Sequence, residues 1–175
     1  MRSPSDPDRA ASAVSRGGDT HIYEATVRWE KGEQKFADNR YSRVHAWSFD
    51  GGAQVKASAS PLSVPEPMSD PGGVDPEEAL VAAASSCHML FFLSFAARGG
   101  FVVDSYVDRA LGVMEKNGED RMAITRITLR PVIRFAGERL PTAAELEELH
   151  SRSHDECYIA NSIKAEVVVE TALER

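Results

Sequence analysis

The sequence predicts an α+β fold in which antiparallel strands pack around one long apolar helix. Three features carry this. The longest apolar run of the chain is DPEEALVAAASSCHMLFFLSFAARG at residues 75–99, runs of alternating apolar and polar residues lie on both sides of it, and glycine-containing turns separate those runs.

The helix is justified from its ends inward. Asp75 can cap the first amides, Pro76 suits the first helical position because its missing N–H is no loss there, and Glu77 and Glu78 favour the positive end of the dipole. Arg98, Gly99 and Gly100 end it. Between Ala79 and Ala97 the segment is apolar nearly all round, which predicts a helix sheathed by protein. Ser85, Ser86, Cys87, His88 and Ser94 interrupt the run and argue against a membrane span.

The flanking elements follow in order. Residues 1–20 are rich in Ser, Pro, Asp, Arg and Gly and predict a mobile tail, with residues 21–175 as a single domain. Residues 21–30 alternate Tyr23, Ala25, Val27 and Trp29 with Glu24, Thr26, Arg28 and Glu30, the pattern of a half-buried strand. Residues 40–49 and 53–60 flank Asp50-Gly51-Gly52, a hairpin signal. Four prolines in residues 61–73 make an extended connection that can border a pocket. Beyond the helix, residues 101–116 and 121–135 read as long strands joined at Asn117-Gly118, with Pro131 marking an edge or bulge. Thr142 and Glu145 form a capping box for a helix to about Cys157, with Leu146, Leu149 and Ser153 on one stripe. Asn161-Ser162 breaks that helix, and residues 163–171 make a last strand.

Composition bounds the function. The chain has 175 residues, 42% hydrophobic and 27% charged, enough for a sizeable core. A formal charge of −7 and a pI near 5.3 disfavour nucleic acid and anionic membranes as partners. The first residues contain no apolar signal core, which predicts a cytoplasmic protein whose two cysteines are reduced.

Those cysteines carry the candidate chemistry. Ser85 and Ser86 precede Cys87, His88 follows it, and His154 lies one helical turn before Cys157, polar company that can favour thiolate. An alternative is zinc, because His150, His154 and Cys157 share a helical face and Cys87 or His88 could complete a tetrahedron. A third reading is a noncatalytic binding module in which both cysteines only pack.

The combination of Asp75-Pro76-Glu77-Glu78, Cys87 ten positions after Glu77, a long β-hairpin, and Cys157 before a terminal strand resembles the OsmC/Ohr family of thiol peroxidases. The resemblance runs from about Ala25 to Glu170. It implies an intertwined homodimer with two central helices wrapped by sheets, and reduction of organic hydroperoxides without metal or organic cofactor. By the same resemblance Cys87 is the peroxidatic thiol and Cys157 the resolving thiol, with an external small or protein dithiol closing the cycle. Glu77 matches the family glutamate, and Arg40, or else Arg43, the arginine that pairs with it. Ten residues of straight helix would hold Glu77 and Cys87 roughly 15 Å apart. Either the helix therefore breaks near Ser85-Ser86, or the Arg–Glu pair serving Cys87 comes from a second chain.

Overall fold

A computed structural model describes residues 20–171; the tail expected over residues 1–20 lies almost wholly outside the described residues. The strands are β1 (Ala25–Arg28), β2 (His45–Phe49) and β3 (Gln54–Ala57) before helix α1 (Pro76–Arg98), then β4 (Val102–Asp108), β5 (Leu111–Lys116), β6 (Met122–Leu129) and β7 (Pro131–Ala136). Helices α2 (Ala143–Glu156) and α3 (Tyr158–Ser162) and strand β8 (Glu166–Val169) complete the chain.

Helix α1 begins as its sequence dictates. The Asp75 carboxylate accepts from the Glu78 amide at 2.7 Å and Glu78 accepts in return from the Asp75 amide, with Pro76 in the first turn. No break follows: all 23 residues form one helix, Ser85 and Ser86 included. Its inner face feeds two cores in succession. Ala84 packs with Ile127, Leu129 and Val167, while Phe92, Phe95 and Ala96 pack with Phe101, Leu146 and Leu149. Among the described residues the outer face is bare, with Leu90 61% exposed, so the sheath expected all round covers only part of the helix.

Strands β1, β2 and β3 form an antiparallel meander, with Gly52 at φ 85° in the β2–β3 turn. The half-buried strand expected around Val27 forms, but all four residues of β1 are exposed, since no element among the described residues covers that face. The long hairpin divides into two sheets, β4 with β7 and β5 with β6. The division falls where Pro131, lacking an N–H, starts β7, and where Asp108 takes the Arg130 amide and the Ser85 hydroxyl on its two oxygens. At the tip the turn is longer than a two-residue Asn-Gly turn. Asn117 and Arg121 close it, and Asp120, not Gly118, takes the positive φ.

Thr142 and Glu145 cap α2, and Leu146, Leu149 and Ser153 are buried as the spacing predicts, with His150 among them. The helix ends one residue earlier than Cys157, which caps both α2 and α3; Asn161-Ser162 ends α3 rather than α2. The last strand forms and pairs parallel with β6, the one parallel pair among otherwise antiparallel described strands, since α2 and α3 carry the chain back to the starting edge.

Gly112 lets β5 lie against α1: a Cβ added there would stand 2.6 Å from Val81 Cγ2, whereas one at Gly118 meets nothing within 4 Å. Gly112→Ala is expected to cost about 1–3 kcal/mol by overpacking, and Gly118→Ala to stay within about 0.5 kcal/mol. Urea unfolding of the two variants measures the difference, and equal stabilities would contradict this packing.

Candidate functional site

Cys87 sits mid-way along α1, half-buried, between the two cores. Cys157 is 1% exposed at the corner where α2 gives way to α3. The two free thiols are neighbours there, close enough for Cys87 to bear on the Cys157 proton, brought near each other by the packing of α1 on α2 and α3. Burial pushes the Cys157 thiol up, and the nearby Cys87 pushes the same way; the Ala160 and Ile159 amides pull against them, the former at 3.4 Å from Sγ. Cys157 is therefore held as a thiol at neutral pH, while Cys87 is the more accessible of the two.

Glu77 lies in the first turn of the same helix. At about 100° per residue, it and Cys87 point roughly 80° apart as well as standing two to three turns apart along the axis. Glu77 lines a cleft of about 970 Å³ bordered by the proline-rich connection, with Leu62, Val81, Ser85 and Tyr106 among its walls. The border expected from the prolines is there, but Cys87 does not line this cleft; it faces the opposite flank of α1. Two polar atoms are left over among the cleft residues. Glu77 Oε2 and the Tyr106 hydroxyl are buried with no hydrogen-bond partner among the described residues. Burial, and then the charge of Asp108, raise the Tyr106 phenol well above its ordinary value, so it stays a donor.

The two arginines lie elsewhere. Arg43 is committed locally: its guanidinium donates to the Asn39 and Tyr41 carbonyls and to Asn39 Oδ1, and its centre lies 3.9 Å from the Tyr41 ring centroid. Tyr41 in turn packs on Phe36 and Trp29. Arg40 is exposed and its side chain makes no hydrogen bond or ion pair among the described residues. Within one chain neither arginine pairs with Glu77.

One contact escaped the sequence reading. His88 and His150, both buried, join through His88 Nε2 and His150 Nδ1 at 3.0 Å, with near-parallel rings. Burial lowers each to about 4; for His88 the charges of His150 and His154 add to this and Asp108 opposes it. The signal lay in the stripe itself, because His150 falls between Leu149 and Ser153 on the buried face of α2.

The family model described as OsmC-like protein matches residues 69–172. The chain also resembles the solved structure of an OsmC-like protein of unknown function from Vibrio cholerae, at 47% identity and a TM-score of 0.86 over 87% of this chain and all of the other. The chain belongs to the OsmC-like family. Two more distant structures share the fold at 13% identity. One is an organic hydroperoxide resistance protein OsmC from Legionella pneumophila, with a TM-score of 0.61 over 87% of this chain and 98% of the other. The other is an organic hydroperoxide resistance protein from Elizabethkingia anophelis, with a TM-score of 0.62 over the same shares. Comparison with curated proteins gives no match.

In this OsmC-like chain the alternative zinc set is not assembled. His150 turns to His88, and among the described residues no group of three or more His, Cys, Asp or Glu side chains is arranged to hold a metal ion. Helix α1 is long and apolar enough to cross a membrane by length and composition, but here it packs on α2, α3 and the strands.

The histidine pair makes the fold acid-sensitive. The unfolded chain takes up protons below about pH 6.5 that the folded imidazoles refuse until about pH 4. Stability is therefore whole above pH 6.5, falls as the pH drops from 6.5 to 4, and levels off for these groups below that. At about 1.4 kcal/mol per pH unit the loss is at most on the order of 3 kcal/mol per imidazole. Urea unfolding at pH 7 and pH 4.5 should show a larger loss for the native chain than for His88→Leu/His150→Leu; equal losses would contradict it.

Proposed function

We propose that this OsmC-like protein is a cysteine-based peroxidase that reduces organic hydroperoxides. One observation carries the reading: two reduced thiols from separate elements lie close together, one half-buried and one fully buried with its proton held on. Packing alone does not call for such a meeting, and the asymmetry fits a division of labour. The Cys87 thiolate attacks the O–O bond, its sulfur taking the distal oxygen as sulfenic acid while the alkoxide leaves and is protonated to the alcohol. The Cys157 sulfur then displaces that oxygen, which departs as water with the Cys157 proton, and a Cys87–Cys157 disulfide remains. An external dithiol reduces it by exchange, so no metal or organic cofactor is needed for electron balance.

The hydroperoxide resistance proteins that share this fold support an organic peroxide as substrate. So does the apolar flank of α1 beyond Cys87, where Leu90 and Phe91 can meet an alkyl group. The working form is a homodimer whose site is completed across the interface. Glu77 and Cys87 share one unbroken helix and diverge in direction, and among the described residues Glu77 Oε2 is buried without a cation and Arg40 is exposed without an anion. Leu90 on α1, Leu111, Val113 and Met114 on β5 and Met122 on β6 leave apolar surface that a second copy would cover. The pairing proposed is Arg40 with Glu77, next to the Cys87 thiol of the other chain, where a guanidinium favours thiolate. A dependence on dithiol reductant suits the cytoplasm.

The test is a steady-state assay with tert-butyl hydroperoxide and a dithiol. Cys87→Ser is expected to lose turnover entirely. Cys157→Ser should consume about one equivalent of peroxide and stop, with sulfenic or higher acids at Cys87 by mass spectrometry. Steady turnover by Cys87→Ser would refute the reading.

A further inference from the structure

Between the two apolar clusters fed by α1 lies a buried polar contact that the cysteine chemistry does not use, the 3.0 Å His88–His150 hydrogen bond. His88 is 1% and His150 5% exposed, and the Phe92 ring lies 4.6 Å from His150, centroid to centroid. His88 Nδ1 has no partner among the described residues, so the His150 bond is the only one its ring makes there. Burying two imidazoles costs desolvation, and apolar residues of similar volume would fill the space about as well. What apolar residues do not supply is direction. A single hydrogen bond between two helices fixes how one sits along and around the other, and here the helices are those that hold the thiols. His88 directly follows Cys87, and His150 lies seven residues, roughly two turns, before Cys157 on the helix that ends there.

We infer that the His88–His150 pair is a positioning device: it holds α2, and with it the Cys157 thiol, in reach of Cys87, so that closing the disulfide depends on it while the first attack on peroxide does not. The inference rests on the peroxidase reading above and deepens it. In the dependent step the Cys157 sulfur bonds to the Cys87 sulfur, the sulfenic S–O bond breaks, and the oxygen leaves as water with the thiol proton. The sulfurs must close to about 2.05 Å in line, and a misplacement of about 1 Å can cost about 100-fold. His150 acts on this step through the helix that carries Cys157.

Three variants test it. His150→Leu removes the bond, His150→Asn keeps a hydrogen-bonding atom near the Nδ1 position, and His88→Leu/His150→Leu keeps the site filled without leaving an unpaired nitrogen if the single change fails to fold. Each is mixed with tert-butyl hydroperoxide. Cys87 sulfenic acid is trapped with dimedone, and disulfide formation is followed by thiol loss. In parallel each is treated with diamide, which takes two hydrogens from a thiol pair without peroxide. The expected result is sulfenic acid formation within about twofold of the native rate, and disulfide closure at least about 10-fold slower in both leucine variants with either oxidant, recovered to within about threefold in His150→Asn. Native closure in a folded leucine variant, or an asparagine variant no better than leucine, overturns the inference. If the native protein forms no sulfenic acid with the peroxide, the peroxidase reading fails, and the diamide rates still decide whether the histidine pair sets the approach of the thiols.

Discussion

The structure depends on the stiffness of one unbroken helix. Once Asp75 and Glu78 fix its start, the position and direction of every side chain on α1 follow from sequence number, with no bend to bring distant residues together. Ala84, His88, Phe92 and Phe95 recur along one face and become the spine of two cores. Cys87, one residue from that spine, is held at the edge of the packed region, half in and half out. Glu77 stays with the cleft on another flank. A rigid rod thus separates two groups that the proposed chemistry needs together, which is why that chemistry calls for a second rod.

The other half of the thiol pair is placed by a corner. Cys157 ends α2 and starts α3, so its backbone is held from both sides, and Leu146, Leu149 and His150 set α2 on α1. Burial keeps its proton on. The site is therefore asymmetric: a thiol on a rigid strut that solvent reaches, and a thiol at a junction that solvent does not. The same burial holds two imidazoles neutral a short way off, between the two apolar clusters.

What the sequence disclosed was whatever local chemistry decides. Both capping boxes, the Asp50-Gly51-Gly52 hairpin and the stripe on α2 form as read, because each is settled by residues within a few positions of one another. The parallel partner of β8 and the division of the long hairpin at Asp108 and Pro131 depend on contacts between distant segments, which periodicity does not record. The bare faces of β1 and α1 show a further limit: alternation reports that a surface is to be covered, not which chain covers it. In the site, the resemblance singled out the cysteines, and the fold makes them neighbours. The role of His150 was hidden because histidine on a buried stripe reads equally as ligand or as packing, and its partner lies on another helix.

The measurement that bears most directly on the shared site is complementation. Chains carrying Cys87→Ser are mixed with chains carrying Glu77→Gln, exchanged through mild unfolding, and assayed for hydroperoxide reduction. A hybrid dimer has one site with both native groups and one with neither. If half the dimers are hybrid, activity should return to about a quarter of the native value from two inactive parents, by the symmetry of a two-fold interface. No recovery despite demonstrated chain exchange would show that Glu77 serves the Cys87 of its own chain or none, and would contradict the account.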